Sequence, residues 1–440
     1  MVTATDPPRV SGIAVPVRPA RIAPTRARRE IGDGGMSRRA LPLILAIFAV
    51  GTSELIPSGI LQGLATRFGV SLATVGLTVT VYALTMAFLG PVVTAVTLRY
   101  RRSTVAVALL LVFAAGTAVV ALAPTFPVLL LGRVLTASIH GTLMAVVVIL
   151  AERSAPAGKS GSAVAAMQFG INLATVVGVP LGTWFSGLAG WRWTFAVIGL
   201  LGAVASVLIA MTVWPPEPRA DGGGATLADE LAVLRAPRVS GMVVATALYS
   251  AAMFAIITYL QPTMDEAAGI TGLGFSLALF GYGIASLGGN VLGGRLANGH
   301  LPPRLLGAGV AFAASCALMG VVRGVPLTVA ALVIFGVATF ALIPLLQTRV
   351  LTAAAAAPNV ALTANMSAFG VGAAGGSLLG GRVLEATGNA ASIAFVAAVL
   401  ALASWVFVTV LNARLRPDDS PETDVAGPGT VDTVDRAEAS

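Results

Sequence analysis

The feature that most constrains this chain is its succession of long apolar runs. A helix needs about 20 mostly apolar residues to cross a bilayer, within a range of about 17–25. Twelve windows reach that length: 40–62, 74–97, 104–122, 126–150, 160–183, 193–214, 239–262, 274–297, 304–322, 326–349, 361–384 and 388–411. Short breaks separate several of them and carry Pro or Arg, as at Pro124, Pro127, Arg323 and Pro326. The longest polar interior stretch runs from Pro215 to Arg238, contains PPEP and GGG, and divides the spans six plus six. The pattern predicts an all-α membrane protein of twelve transmembrane helices in two pseudo-symmetric six-helix bundles. The bundles would occupy 39–214 and 239–413, with a central loop over 215–238. The tails, 1–38 and 414–440, lack periodic apolar residues and are expected to be disordered. The first tail is not a cleavable signal, because a full span follows its long basic stretch.

Composition agrees. Only 10% of the 440 residues are charged and 56% are hydrophobic, with a mean hydropathy of +0.90, whereas soluble proteins carry roughly 25% charged residues. A water-soluble enzyme and a disordered chain are both excluded. A lone cysteine, Cys316, forms no internal disulfide. Two histidines, His140 and His300, with that cysteine do not suggest a zinc site, and no metal or cofactor is expected. Neither a GxxxxGK[ST] phosphate loop nor a G-x-S-x-G elbow is present, so neither a nucleotide-driven pump nor a serine hydrolase is suggested.

The net charge of +8, from 27 basic and 19 acidic residues, looks like a nucleic-acid signal. Its distribution says otherwise. With both termini inside, 22 basic residues fall on the inner side and 4 on the outer, and Arg133 lies within a span. Positive residues gather on the cytoplasmic side, so both termini are expected in the cytoplasm of a cell that carries the protein in its inner membrane.

Two stretches at the inner end of each half's second span look alike: GPVVTAVTLRYRR at 90–102 and GGNVLGGRLANGHLPPR at 288–304. They suggest an internal duplication of the kind that places a transport site between repeats. Small residues mark close helix contacts in lipid. Gly372, Gly376 and Gly380 form a stripe on span 11, Gly289 and Gly293 lie on span 8, and Gly170, Gly178 and Gly182 lie on span 5 with Pro180. Static packing and surfaces that slide are equally compatible with these glycines.

Charged residues inside a membrane cost about 2.5–3.5 kcal/mol each and are functional candidates by default. Glu54 in span 1 and Arg133 in span 4 both lie about 10–12 Å below the outer surface at 1.5 Å per residue, so they can meet. They form either a fixed ion pair or a proton-coupling site. His140 follows Arg133 by seven residues on the same face. It is either a polar packing residue or a proton or substrate contact. Tyr82, Gln168, Asn172, Tyr249, Phe254, Tyr259, Asn365 and Phe369 are further candidates for the wall of a substrate cavity.

These residues carry a resemblance to the major facilitator superfamily, twelve-span drug:proton antiporter type, in its chloramphenicol-resistance and arabinose-efflux-like group. It covers about residues 40–412. GTSELIPSGIL (Gly51 to Leu61) resembles that group's G-T-[ST]-E-[FL]-x-x-x-G-[IL]-L. GRVLTASIHG resembles the motif whose arginine, here Arg133, is implicated in proton transfer. The series Gly170, Gly178-Val-Pro180-Leu-Gly182, then Gly190-Trp191-Arg192, resembles the antiporter signature of exporters. The cytoplasmic loop motif G-x-L-a-D-R-x-G-R-[RK] is matched by Arg99 and Arg102, with Arg295 at the related place in the second half. Leu98 and Asn298 stand where aspartates are usual, and Thr94 where a glycine is. The family's aspartate–arginine latch therefore lacks its acid here, and T-L-R at this place is similar to chloramphenicol-type exporters.

The resemblance implies the major facilitator fold, with halves that rock about a central cavity. It also implies export of a small, fairly hydrophobic compound (a drug or antibiotic, chloramphenicol-like among them) in exchange for protons. The implied partners are the substrate, protons and the bilayer. No nucleic acid is expected, and the family is usually monomeric. Glu54 would carry the proton beside Arg133, and the Gly/Pro face of span 5 would pack against the other half. The alternatives are an exporter of a sugar, nucleoside or self-made natural product, and a receptor or scaffold that keeps the fold without transport.

Overall fold

The computed structural model describes residues 40–155, 160–212, 237–298, 301–353 and 358–414, and every regular element among them is helical. The two expected disordered tails and the central loop lie outside the described residues, except that Pro237 and Arg238 start a helix and Arg414 ends one.

The first half comprises α1 (Ala40–Gly59), α2 (Leu61–Phe68), α3 (Leu72–Thr97), α4 (Arg102–Leu122), α5 (Phe126–Ser154), α6 (Ser160–Leu173), a π-helical turn (Ala174–Gly178), α7 (Val179–Ala189) and α8 (Trp191–Thr212). The second comprises α9 (Pro237–Thr258), α10 (Leu260–Ala268), α11 (Gly272–Ala297), α12 (Leu301–Val321), α13 (Val325–Ala353), α14 (Pro358–Thr387) and α15 (Ala391–Arg414). Spans 1 and 7 of the sequence pattern are α1 and α9, each broken before a short helix.

Three pairs of helices match in length between the halves. α3 and α11 have 26 residues each, α4 and α12 have 21, and α5 and α13 have 29. α2 and α10 both end on a glycine in the left-handed region, Gly69 at φ 63° and Gly269 at φ 64°, a cap that lets the chain turn sharply into the next span.

Among the described residues, eleven helical stretches are long and apolar enough to cross a membrane. The twelfth, α14, has the length but is rich in Gly, Ala, Ser and Thr instead of branched apolar residues. Its position explains this. α14 packs along α9 within its own half and along α3 of the other, so much of its surface meets protein rather than lipid. Any side chain at Gly372 or Gly376 would collide with the α9 backbone at Ala247 and Ala251. Gly289 and Gly293 likewise admit the backbone of α13. These stripes bind helices within the second half. A different set of glycines serves the approach between halves. A Cβ on Gly283 of α11 would lie 2.5 Å from the Val176 Cα, and one on Gly370 of α14 would lie 2.9 Å from the Ala83 carbonyl oxygen.

Prolines inside the helices free carbonyls for cross-helix bonds. A proline has no N–H for the carbonyl four residues back. Pro91 in α3 leaves the Ala87 carbonyl free, and Ser367 of α14 donates its hydroxyl there at 3.2 Å. Pro180 follows the π turn Ala174–Gly178 and lacks the N–H that an α-helix would give to the Val176 carbonyl.

At one end the two halves are tied together. Gln62 of α2 donates twice to α10: its main-chain N–H to Gln261 Oε1 at 3.0 Å and its Nε2 to Asp265 Oδ2 at 3.1 Å. Ser71, the N-cap of α3, donates to Glu385 at the far end of α14 at 2.9 Å. Below them Tyr259 is fully buried against Gly76 of α3 and Gly381 of α14. Its hydroxyl donates to the Ser377 carbonyl, and Ser377 donates to the Gly76 carbonyl, both at 3.0 Å.

Candidate functional site

The site begins with a proline. Pro57, inside α1, removes the helical bond to the Ser53 carbonyl. Arg133, on the facing side of α5, fills that gap. Its Nη1 donates to the Ser53 carbonyl at 2.6 Å, Nη2 to the Glu54 carbonyl at 3.1 Å, and Nε to the Thr78 carbonyl of α3 at 3.3 Å. Its guanidinium carbon sits 4.1 Å from the centroid of the Tyr82 ring. Arg133 is 0% exposed. Its fork of donors spans two helices, and the aromatic face adds a cation–π contact.

Glu54 and Arg133 do come to the same depth, but the arginine's hydrogen bonds go to main-chain carbonyls. The group beside the Glu54 carboxylate is His140, with Nε2 3.8 Å from Oε2. The other imidazole nitrogen, Nδ1, is 2.7 Å from the Tyr82 hydroxyl. One line therefore runs Glu54, His140, Tyr82, with Arg133 against the tyrosine's face. The Glu54 side chain keeps 22% of its surface exposed and His140 keeps 10%. The arginine is sealed and keeps its charge at ordinary pH. The Glu54 side chain is the most exposed member of the group.

The other expected cavity residues separate. Asn172 of α6 accepts from Asn290 of α11 at 3.3 Å, a side-chain bond across the halves. Phe254 and Phe369 meet edge to face at 5.7 Å between α9 and α14, and Phe369 is the less buried. Gln168 is exposed on α6. Asn365 is buried and accepts from Thr246 at 2.7 Å, which spends it within the second half. Tyr249 donates its hydroxyl to the Thr339 carbonyl at 2.7 Å and lines an apolar crevice inside the second half with Phe312 and Trp405. Tyr259 is fully buried at the tied end, where its hydroxyl donates to the Ser377 carbonyl.

The antiporter-motif glycines face a neighbour other than the second half expected for them. Gly170, Gly178 and Gly182 face α1, where a Cβ would press on Ile47, Thr52 and Ile56 respectively, and Pro180 is buried. They let span 5 lie close to the helix that carries Glu54. The contact with the other half comes from Gly283 approaching Val176. In the cytoplasmic loop motif, Arg99 lies over Tyr100 at 5.0 Å, Arg295 and Leu98 are exposed, and Arg102 is half-buried. Thr94, in the motif's glycine place, bonds Thr142 of α5 at 2.8 Å.

Sequence reasoning missed Asn290 and the part played by Pro57. Both had a signal: an amide deep in an apolar span, and a proline four residues after Ser53.

The chain matches the family model of the Major Facilitator Superfamily over residues 43–361. It is 35% identical to a chloramphenicol resistance protein of Streptomyces lividans, over 86% of this chain and 99% of that one. It is 31% identical to the inner membrane transport protein YdhP of Escherichia coli strain K12, over 86% and 96%. Among solved structures it resembles a bacterial homolog of the human lysosomal transporter Spinster at TM-score 0.69 and 17% identity, over 88% of this chain and all of that one.

Proposed function

This chain belongs to the major facilitator superfamily, a family of multi-pass membrane transporters, and from that premise we propose that it exports a small, fairly hydrophobic compound in exchange for protons. The carrying observation is Glu54: a carboxyl within a span, partly exposed, beside a sealed arginine and an imidazole. The name of one relative, the chloramphenicol resistance protein of Streptomyces lividans, supports an antibiotic of chloramphenicol's kind as the substrate. The arginine distribution supports both termini in the cytoplasm of a bacterial inner membrane. On that orientation the tied end faces outward. Export then alternates between this arrangement and one in which the bonds of Gln62, Ser71 and Ser377 are broken and the opposite end closes.

A host lacking its own efflux pumps, expressing the full chain, tests this directly. Accumulated chloramphenicol should fall on expression and rise again when an uncoupler collapses the proton gradient. Glu54→Gln should abolish the uncoupler-sensitive part while the protein still reaches the membrane. Uncoupler-sensitive efflux at the normal rate in that variant would remove Glu54 from the mechanism. A panel of other antibiotics, sugars and nucleosides run in the same host separates the substrate classes.

A further inference from the structure

Helices of equal length in the two halves give the positions near Glu54 counterparts by helix register. Tyr82 is the eleventh residue of α3 and Tyr282 the eleventh of α11. His140 is the fifteenth residue of α5, and Thr339 the fifteenth of α13. Arg133 corresponds in the same way to Leu332. Glu54 lies six residues before the break at Ile60, and Met253 six before the break at Tyr259. The second half thus keeps the tyrosine and replaces the three titratable groups with Met, Leu and Thr. Those replacements are buried: Thr339 and Leu332 are both 0% exposed and Met253 is 4% exposed. The fold does not need an imidazole at this place to close its core.

We propose that His140 is a second proton-binding group of the coupling site, receiving at Nε2 the proton that Glu54 takes up. This rests on the reading of Glu54 as the proton carrier. In the tautomer that serves this role, Nδ1–H donates to the Tyr82 oxygen and Nε2 presents its lone pair to Glu54. The O–H bond of the protonated Glu54 breaks, the proton bonds to Nε2, and an acid beside a neutral imidazole becomes a carboxylate beside an imidazolium. The 3.8 Å separation closes to hydrogen-bond length as it does so. The charged and titratable groups facing His140 are Glu54 from α1, Tyr82 from α3 and Arg133 from α5 itself. Of the other helices packed on α5, α6 carries no titratable side chain, and α4 carries its single charge, Arg102, at its first residue.

The protein has two histidines, which makes the test direct. Full-length protein carrying His300→Asn, labelled with 15N-histidine and held in lipid nanodiscs, leaves one imidazole to follow by NMR. His140 should show the Nδ1–H tautomer when neutral and pass to imidazolium between about pH 5 and 9. Adding Glu54→Gln should move that midpoint by about one unit or more, the effect of one close charge. An imidazole that stays neutral across the range, or one whose midpoint ignores Glu54→Gln, overturns the inference. Efflux separates the two readings. If Glu54→Gln leaves uncoupler-sensitive efflux intact, the role of Glu54 fails. If it abolishes efflux while His140 does not titrate with it, the role of His140 alone fails.

Discussion

At the scale of single residues, the site depends on where Arg133 spends its hydrogen bonds. A buried guanidinium needs acceptors for its donors, and here three main-chain carbonyls supply them. Arg133→Lys replaces a planar fork by a single nitrogen that does not reach the same set. We expect it to destabilise the protein by about 2–4 kcal/mol, read as a lower unfolding midpoint of purified protein. Pro57→Ala is expected to act in the opposite direction on the helix. It restores an N–H that competes with Arg133 for the Ser53 carbonyl, so α1 regains a bond while the arginine loses one. Efflux should fall with stability unchanged or raised. A variant with lower stability and normal efflux would show that the free carbonyl plays no part.

Helices come together here through glycines of two kinds, and the kinds behave differently under substitution. Gly372 and Gly376 hold α14 on α9 inside one half. Gly283 lets α11 approach the π turn of span 5 in the other half, where a Cβ would lie 2.5 Å from the Val176 Cα. Backbone cannot yield as a flexible side chain can, so Gly376→Leu should cost about 1–3 kcal/mol or more in folding and lower expression. Gly283→Ala should leave each half folded and slow transport instead. Gly288→Ala, with nothing within 4 Å of the added carbon, is the control and should behave as the native protein. Equal rates for Gly283→Ala and Gly288→Ala would show that the α11 approach is not part of the moving contact.

For the molecule as a whole, the tied end sets the balance between its two arrangements. The bond from Gln62 to Asp265 is one of the few side-chain links between halves at that end, and a hydrogen bond to a partly buried charged group contributes on the order of 1 kcal/mol. Gln62→Ala should therefore shift the population toward the arrangement open at that end by about fivefold. Paired spin labels on α2 and α10, giving a distance distribution in lipid, would detect this as a growing long-distance component. An unchanged distribution would locate the latch elsewhere, at Ser71 and Glu385 or at Tyr259.

Much of this was legible in the sequence. The run lengths fix the number and class of elements, because a helix crossing a bilayer needs a certain length of apolar chain whatever surrounds it. Glu54 and Arg133 stand out because a charge in a span is costly, and their similar distances from the outer ends already allow them to meet. α14 shows where composition and environment part: its glycines reflect protein neighbours, which no local pattern names. Partners across helices were decided only by the tertiary structure. Arg133 bonding carbonyls, His140 beside Glu54, Tyr259 filling the seam, and the span 5 glycines facing α1 all depend on helix rotation. One residue of rotation, about 100°, moves a side chain from one neighbour to another. The twelve spans set the ladder of depths, and packing alone chose which rungs touch.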